Sequence, residues 1–355
     1  MRIGISANAL KLSGGLERYA MDLVRGLAAA GFDGARKPAF FARKIDTSLP
    51  ESKMIDVHRI KVSFLPGKMR DAYFSWALKR ARKKPKVDVL IGCNRVEGSE
   101  IAICGGTHLG FLRASGRREK RSDARQIELE RRQYAQAKVI VAHSDMMSDE
   151  LRALYGIEVR KIRVLYPPVD RAQFAPVSDD ARARLREEFG FKENEIVLLF
   201  PSSSHERKGL PLIEQALSGL NVVVAVAGRA PEQKSANVHY VGYIRNIENA
   251  YRAADFTILA SSYEPFGLVG IESVMCGTPV IFPACIGCSN AISDSVKHIF
   301  KPGDAADLRR VVSEAVASRE TRVRVSVDDV RYDTSVELHV GELVALARAI
   351  ADKKR

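Results

Sequence analysis

Short runs of mainly hydrophobic residues recur along the chain, separated by helical or basic segments. In the N-terminal half the runs occupy 1–6, 87–92, 100–104, 139–142 and 162–165, and in the C-terminal half 195–201, 222–228, 239–241, 255–260 and 279–282. Mainly hydrophobic runs of this length are typical of parallel strands that are buried on both faces. The pattern therefore predicts an α/β protein with two doubly wound parallel sheets.

Proline residues and a final amphipathic stretch divide this alternation. Pro167 and Pro168 stop the first series of strands, and 171–176 is typical of a hinge. The last amphipathic stretch runs from 336 to 350. We therefore predict three parts, a first domain over 1–168, a second over 169–335 and a terminal helical segment over 336–355.

The composition narrows the class of protein. Of the 355 residues, 46% are hydrophobic, which excludes an intrinsically disordered chain. The net charge of +13 favours anionic partners such as nucleotides, phosphorylated glycolipids or membrane surfaces. A nucleic acid is suggested by the charge alone, without a recognition motif, so we expect none.

The expected cellular location of the protein follows from the short length of its hydrophobic runs, the start of the chain and the number of cysteines. None approaches the roughly 18 residues of a membrane-spanning helix, and the chain enters its first strand directly, without a signal peptide. The five cysteines are odd in number and scattered, which indicates a reducing compartment. Cys285 and Cys288 form one Cys-x-x-Cys pair, which we interpret as a structural loop, with metal or redox chemistry as the alternative. We expect a cytoplasmic protein.

Two basic segments lie in the N-terminal half. Residues 68–86 mix Trp76 and other hydrophobic residues with many lysines and arginines, and 112–132 is rich in arginine. One interpretation is a peripheral contact with the anionic inner face of the cytoplasmic membrane, to which each basic residue contributes about 1 kcal/mol. The other interpretation is a solvated basic helix face.

The most informative stretch is the loop and helix from Tyr263 to Glu272. It lies between the strands predicted at 255–260 and 279–282, and Gly277 is placed to end the helix. Pro265 and Gly267 allow a sharp turn at the helix N-terminus, where free amides and the helix dipole attract an anion such as a diphosphate. The amides that we expect to point outward are those of Phe266, Gly267, Leu268 and Val269.

Two glutamates flank these amides. Glu264 lies on the loop, and Glu272 lies inside the helix. A carboxylate accepts hydrogen bonds from adjacent hydroxyl groups of the kind that sugars present. An anion site flanked by two carboxylates therefore predicts binding of a sugar nucleotide.

These residues carry a resemblance to a known family. The sequence Glu-Pro-Phe-Gly-Leu-Val-Gly-Ile-Glu over 264–272, followed by Cys-Gly-Thr-Pro-Val-Ile over 276–281, resembles the signature of the retaining glycosyltransferases of family 4, also called group 1. The resemblance implies the GT-B fold, with two Rossmann-like domains and an inter-domain cleft. It also implies that the terminal helix crosses back to the first domain.

The resemblance assigns further residues to donor binding. Arg207-Lys208-Gly209 follows the first strand of the second domain, where Arg-Lys-Gly of the family meets the diphosphate. The resemblance also places a Gly-Gly pair of the first domain against the donor. It places the nucleobase of the donor near a turn of the second domain. The residues carried over in this way are Gly14, Gly15, Gly228, Arg229, Tyr243 and Ile244.

His108 is the candidate from the first domain. It follows Gly105-Gly106-Thr107 at the end of a predicted strand, where many family members have a histidine against the donor sugar. In the family an aspartate often comes next, but here the next residue is Leu109. We predict a catalytic role for His108, with a loop histidine satisfied by its neighbours as the alternative.

The chain contains no Asp-x-Asp, the pair with which other glycosyltransferases hold a metal. We therefore expect no metal and no other cofactor, with Arg207, Lys208 and the helix amides offsetting the diphosphate charge. The predicted catalytic residues are His108, Arg207, Lys208 and Glu264.

Within the family, three segments resemble the lipopolysaccharide-core glucosyltransferases of Gram-negative bacteria: 14–18, 93–95 and the basic segment before Tyr134. The resemblance implies transfer of a hexose, glucose from UDP-glucose, to an inner-core heptose with retained configuration. One alternative is another hexosyl or N-acetylhexosaminyl transfer to a glycolipid or polysaccharide. A second is a UDP-sugar epimerase of similar architecture.

Overall fold

The computed structural model describes residues 1–11, 15–31, 37–231, 237–318 and 325–353. These residues form two compact units. Unit 1 comprises Met1–Pro168 and Thr334–Arg355, and unit 2 comprises Val169–Asp333.

Unit 1 contains a parallel sheet and flanking helices. Its strands are β1 (Ile3–Ser6), β2 (Ala9–Leu10), β3 (Ala39–Ala42), β4 (Lys44–Ile45), β5 (Asp56–Arg59), β6 (Val89–Gly92), β7 (Ile101–Cys104), β8 (Val139–Ala142) and β9 (Ile162–Val164). Its helices before the crossing to unit 2 are α1 (Gly15–Ala29), α2 (Arg70–Ala81), α3 (His108–Ser115), α4 (Arg121–Gln136) and α5 (Asp145–Tyr155).

The 7-stranded sheet of unit 1 has the order β5-β3-β1-β6-β7-β8-β9, and every pairing in it is parallel. The chain runs outward from β1 in one direction and then returns to run outward through β6 in the other. Strands β2 and β4 form a separate two-stranded ribbon. The sheet is therefore doubly wound, with its switch point between β1 and β6.

Unit 2 repeats this plan with different elements. Its strands are β10 (Val197–Ser202), β11 (Val223–Gly228), β12 (Val238–Gly242), β13 (Phe256–Ile258), β14 (Val280–Pro283) and β15 (Lys297–Phe300). Its helices are α6 (Asp179–Glu188), α7 (His205–Lys208), α8 (Leu210–Leu217), α9 (Ile247–Ala253), α10 (Leu268–Met275) and α11 (Ala305–Ala317). The 6-stranded parallel sheet has the order β12-β11-β10-β13-β14-β15, so its switch point lies between β10 and β13.

The last helix, α12 (Val336–Asp352), belongs to unit 1 and packs against α1. A Cβ atom on Gly26 of α1 would lie 2.5 Å from Cγ2 of Val340, so only glycine permits this approach. Val340, Leu343 and Ala347 are buried in the same core as the strands β1 and β6. Burial of one face explains the hydrophobic spacing of the terminal stretch.

The predicted fold class is confirmed at the level of two Rossmann-like parallel sheets flanked by helices. The sequence pattern missed β3, although its residues are hydrophobic, and it missed β5 and β15, which carry polar residues. Within the described ranges, no helix combines the length and apolarity that crossing a bilayer requires.

Candidate active site

The candidate donor residues of unit 2 follow the two strands that flank its switch point. Arg207 and Lys208 come after β10, and Glu264 comes after β13, the neighbour of β10. Ligands of doubly wound sheets bind at the carboxyl ends of the strands at this point. The topology therefore brings together two segments that lie far apart in the sequence.

A glycine holds the Arg-Lys turn against the end of β13. Gly209 has a φ of +82°, and a Cβ atom there would lie 2.2 Å from the carbonyl oxygen of Ala260. The backbone N–H of Ala260 donates to the carbonyl oxygen of Lys208 at 3.0 Å. Both the backbone conformation and the close approach require glycine, so Gly209 positions the two cations that precede it.

Side chains of both charges lie at the carboxyl ends of β10 and β13, the corner where the candidate donor residues meet. Arg207 is exposed, and its Nη1 lies 3.5 Å from Oε2 of the half-buried Glu264. Lys208 is half-buried, and its Nζ donates to the carbonyl oxygen of Pro201 at 3.2 Å. Burial lowers the pKa of Lys208, the nearby Arg207 lowers it too, and Glu264 and Glu272 oppose the shift. The corner thus offers two cations beside a carboxylate that remains accessible.

The N-terminus of α10 lies in the same region and has no side-chain cap. Gly267 is its N-cap residue, with a φ of 86°, and its carbonyl oxygen accepts from the N–H of Gly270 at 2.9 Å. The amides of Leu268 and Val269 donate to no group in the part of the chain that the structure describes. These two amides are therefore available to an anion.

The preceding loop is held by a neighbouring backbone segment. The N–H of Gly287 donates to the carbonyl oxygen of Glu264 at 3.0 Å, and that of Cys288 donates to the carbonyl oxygen of Phe266 at 2.6 Å. Phe266 itself is buried. The loop that carries Glu264 is thus fixed before any ligand binds.

Glu272 lies on the buried face of α10. It is 5% exposed, and its Oε2 accepts from the hydroxyl of the fully buried Tyr251 at 2.9 Å. A buried carboxylate needs such a donor, because burial without one is costly. Sequence reasoning missed Tyr251, which reaches Glu272 from helix α9.

Gly228 and Arg229, at the end of β11, are tied to the end of β10. A Cβ atom on Gly228 would lie 2.3 Å from the carbonyl oxygen of Ser202, which accepts from the N–H of Arg229 at 3.1 Å. His205 Nε2 donates to the carbonyl oxygen of Arg229 at 2.9 Å, and His205 Nδ1 lies 3.0 Å from Ser202 Oγ. Sequence reasoning missed this bridging role of His205, because the sequence shows only that it lies two residues before Arg207.

The two candidates for the nucleobase lie farther along the sheet. Tyr243 is 79% exposed and Ile244 is half-buried, and both follow β12, two strands from β10. Tyr240 links β12 to the end of β11, because its hydroxyl donates to the carbonyl oxygen of Gly228 at 3.0 Å.

In unit 1, His108 is the first residue of α3. Its backbone N–H donates to both carboxylate oxygens of Glu130, at 3.1 and 3.0 Å. Its Nε2 lies 2.9 Å from Oδ1 of Asp123. Gly15 is the first residue of α1, and Gly14 lies outside the described residues.

Comparisons with known proteins agree with this architecture. The model of Glycosyltransferase Family 4 matches residues 13–173, and that of Glycosyl transferases group 1 matches 181–327. A probable transglycosylase of Burkholderia thailandensis is 61% identical over 363 residues, which covers 100% of this chain and 99% of the relative. This chain belongs to glycosyltransferase family 4.

Solved glycosyltransferases share its fold. WaaG, a glycosyltransferase involved in lipopolysaccharide biosynthesis, superposes with a TM-score of 0.78 at 18% identity, over 99% of this chain and 98% of WaaG. HepE of Anabaena, in complex with UDP and glucose, superposes with a TM-score of 0.75 at 16% identity, over 98% of this chain and 100% of HepE. The glycosyltransferase thus has the GT-B fold.

The cysteines of this glycosyltransferase are free thiols. Cys288 is buried and Cys285 is half-buried, and burial raises the pKa of both thiols. Cys285 Sγ donates to the carbonyl oxygen of Ser261 at 3.3 Å. A raised pKa makes a thiol less reactive, which favours the structural interpretation of this loop.

Proposed function

We propose that this glycosyltransferase transfers a hexose, glucose from UDP-glucose, to an inner-core heptose of lipopolysaccharide with retention of the anomeric configuration. One observation carries the donor part of the proposal. Arg207, Lys208, Glu264 and the uncapped N-terminus of α10 meet at the switch point of unit 2. HepE, which was crystallised with UDP and glucose, and WaaG, which acts in lipopolysaccharide biosynthesis, have the same fold.

The diphosphate is the part of the donor that this corner fits best. The guanidinium of Arg207 binds phosphate oxygens bidentately, and Lys208 adds a compact charge. The free amides of Leu268 and Val269 supply hydrogen bonds at the positive end of the helix. Because these groups are held before binding, they also stabilise the charge that grows on the departing diphosphate.

The two glutamates bind the hydroxyl groups of the donor. Glu264 is half-buried beside Arg207, so its carboxylate remains accessible to the hexose. Glu272 is assigned to the ribose, and Tyr251 orients its carboxylate through one oxygen. His108 and Gly15 of unit 1 contact the sugar substrates in this proposal.

The reaction needs no covalent intermediate on the protein. The bond between C1 of the hexose and the diphosphate oxygen breaks, and a bond from C1 to the acceptor oxygen forms on the same face of the sugar. The departing phosphate oxygen takes the proton of the acceptor hydroxyl, so UDP leaves protonated. The positive charge comes from Arg207, Lys208 and the helix amides, without a metal or other cofactor, so EDTA is expected to leave the rate unchanged.

The surface around α2 supports a peripheral contact with anionic lipid. Trp76 is 51% exposed, with the guanidinium of Arg80 3.8 Å from the centroid of its ring. Phe64 and Met69 are also exposed. The segments before and after α2 also carry exposed lysines, namely Lys68, Lys83, Lys84 and Lys86. Aromatic and basic side chains together are typical of surfaces that bind anionic membranes.

A panel of donors tests the proposal. Purified protein is given UDP-, GDP- and ADP-sugars, and nucleotide release is followed with and without truncated lipopolysaccharide that ends in heptose. We expect rapid release from UDP-glucose only when the acceptor is present. Release from another donor would favour the alternative hexosyl or N-acetylhexosaminyl transfer. Release of UDP that depends on the acceptor would exclude an epimerase, which acts on the donor alone and which the family membership also argues against.

A further inference from the structure

Helix α4 holds His108 at two points with two acidic residues. Glu130 accepts from the backbone N–H of His108, and Asp123 accepts from the ring. Asp123 and Glu130 lie two helical turns apart on the same face of α4, and both are buried. The two contacts are separable, since one fixes the start of α3 and the other fixes the orientation of the imidazole.

Several hydrogen-bond donors stabilise the ionised form of the Asp123 carboxylate. Arg117 donates through Nη1 to Oδ2 at 3.0 Å and through Nη2 to Oδ1 at 2.9 Å. The backbone N–H of Lys120 donates to Oδ2 at 2.7 Å. These contacts, the one from Arg117 first, hold the pKa of the Asp123 carboxyl well below its usual range. An ionised carboxylate only accepts hydrogen bonds, so His108 Nε2 must be the donor.

The other ring nitrogen of His108 has no such partner. In the described part of the chain no group forms a hydrogen bond with Nδ1, and the side chain is 15% exposed. In a neutral imidazole with the proton on Nε2, Nδ1 is an acceptor. A sugar hydroxyl is a suitable donor for it.

We infer that Asp123 is a positioning residue, which fixes the tautomer and ring orientation of His108 so that Nδ1 accepts a hydrogen bond from a substrate hydroxyl. The inference rests on the proposed function, because it assumes that His108 contacts a sugar. Carboxylates that orient metal-ligating histidines change activity by about 10- to 100-fold when they are removed, and we expect an effect of similar size for this histidine.

The tautomer of His108 gives a readout that does not depend on turnover. In ¹⁵N-histidine-labelled protein, the signals of His108 are identified by their absence in His108→Ala. We expect the Nε2–H tautomer in the wild type and in Arg117→Ala, which keeps the Asp123 contact, and a mixture of tautomers in Asp123→Ala. An unchanged tautomer in Asp123→Ala would overturn the inference.

Kinetics give the second readout, with UDP release from UDP-glucose in the presence of heptose-terminated lipopolysaccharide. Asp123→Ala should lower kcat about 10-fold or more with KM for UDP-glucose nearly unchanged, and Asp123→Asn should lower it less, because its amide oxygen still accepts. The matched control is Glu97→Gln, since Glu97 is a half-buried carboxylate 3.7 Å from Arg132 of α4. This control should keep wild-type kcat.

The double variant separates this inference from the proposed function. If Asp123 acts through His108, then His108→Ala with Asp123→Ala should be no slower than His108→Ala alone. Additive losses would overturn the positioning role and leave the role of His108 intact. A wild-type kcat in His108→Ala would overturn both. If the wild type uses no donor of the panel, the proposed function fails, and the tautomer measurement still decides whether Asp123 orients His108.

Discussion

Helices α3 and α10 begin in similar places but have N-termini of opposite character. Each follows a buried parallel strand through a glycine-containing loop at the carboxyl edge of its sheet. In α3 the Thr107 side chain accepts from the N–H of Gly110 at 3.0 Å, and Glu130 accepts from the N–H of His108. In α10 the N-cap is Gly267, and no side chain within the described ranges caps the helix.

The difference shows when a helix N-terminus can bind an anion. The positive end of α3 is already occupied by a carboxylate of the protein itself, so a phosphate would have to displace Glu130. The end of α10 keeps the amides of Leu268 and Val269 free, with Lys208 and Arg207 supplied from the neighbouring loop. Strand–loop–helix geometry is therefore common to both sites, and the partners of the first amides and the neighbouring cations distinguish them.

The largest effect is expected at the cations of unit 2. Arg207→Ala should lower kcat about 10²-fold or more, because the charge on the departing diphosphate loses its bidentate partner. The measurement is steady-state UDP release with acceptor present. The exposed Arg184 of α6 provides a control of equal charge, and Arg184→Ala should behave like the wild type. Equal rates for the two variants would remove Arg207 from the site.

Acid should weaken unit 1 through two buried histidines. Burial lowers the pKa of His143 to about 3 and that of His339 to about 4, whereas an unfolded chain has histidines near 6.5. The unfolded state therefore binds more protons, so this stability is complete above about pH 6.5 and is lost as the pH falls towards 4. Between pH 6.5 and 5.5 the two histidines together should lower the free energy of unfolding by about 2 kcal/mol.

Hydrogen exchange can locate this loss of stability. Protection of α12, which contains His339, should fall between pH 6.5 and 5.5 after correction for the intrinsic exchange rate. His339 lies 2.8 Å from the hydroxyl of Tyr19, so the effect should extend to α1. Constant protection of both helices over this range would contradict the buried neutral state of the histidines.

A smaller effect on affinity is expected at the buried glutamate of α10. Glu272→Ala should weaken UDP binding about 10-fold, corresponding to about 1.4 kcal/mol, since the ribose loses a charged acceptor. Isothermal titration calorimetry measures the UDP affinity of the variant directly. Tyr251→Phe is the paired control, because it removes only the hydroxyl that donates to Glu272. This control should lose less affinity than Glu272→Ala, and wild-type affinity in Glu272→Ala would exclude the ribose assignment.

The smallest effect tests the capped helix of unit 1. Thr107→Ala removes the acceptor of the Gly110 amide and should cost about 1 kcal/mol of stability, measured by denaturant unfolding. UDP affinity should not change, because this helix end is already satisfied by the protein. A loss of UDP binding in Thr107→Ala would break the distinction between α3 and α10.

The sequence was most informative where the candidate donor-binding residues are contiguous. Glu264, Gly267 and Glu272 lie within one loop and one helix, so spacing alone predicts an anion site with flanking carboxylates. The fold class was equally accessible, because short hydrophobic runs at regular intervals mark strands buried on both faces. The assignment of individual residues to donor, base and acceptor stays a prediction.

The basic segment 112–132 shows where local patterns fall short. Its arginines predict a solvated or lipid-binding face, but they give no sign that the structure buries Asp123, Ile127 and Glu130 on one side of α4. Acidic residues at inward helix positions look like surface residues in a sequence. Their burial is possible only because distant groups, the backbone of His108 among them, satisfy them.

The sequence by itself determined most of the strands of the two sheets and the loop that precedes α10, since these depend on residues close together in the chain. Only the tertiary structure decided that Asp123 orients His108, that Tyr251 holds Glu272 and that His205 joins the ends of β10 and β11. The physical reason is that a hydrogen bond to a buried group requires a partner at about 3 Å. The order of strands in the sheet, which no local pattern specifies, decides which partner that is.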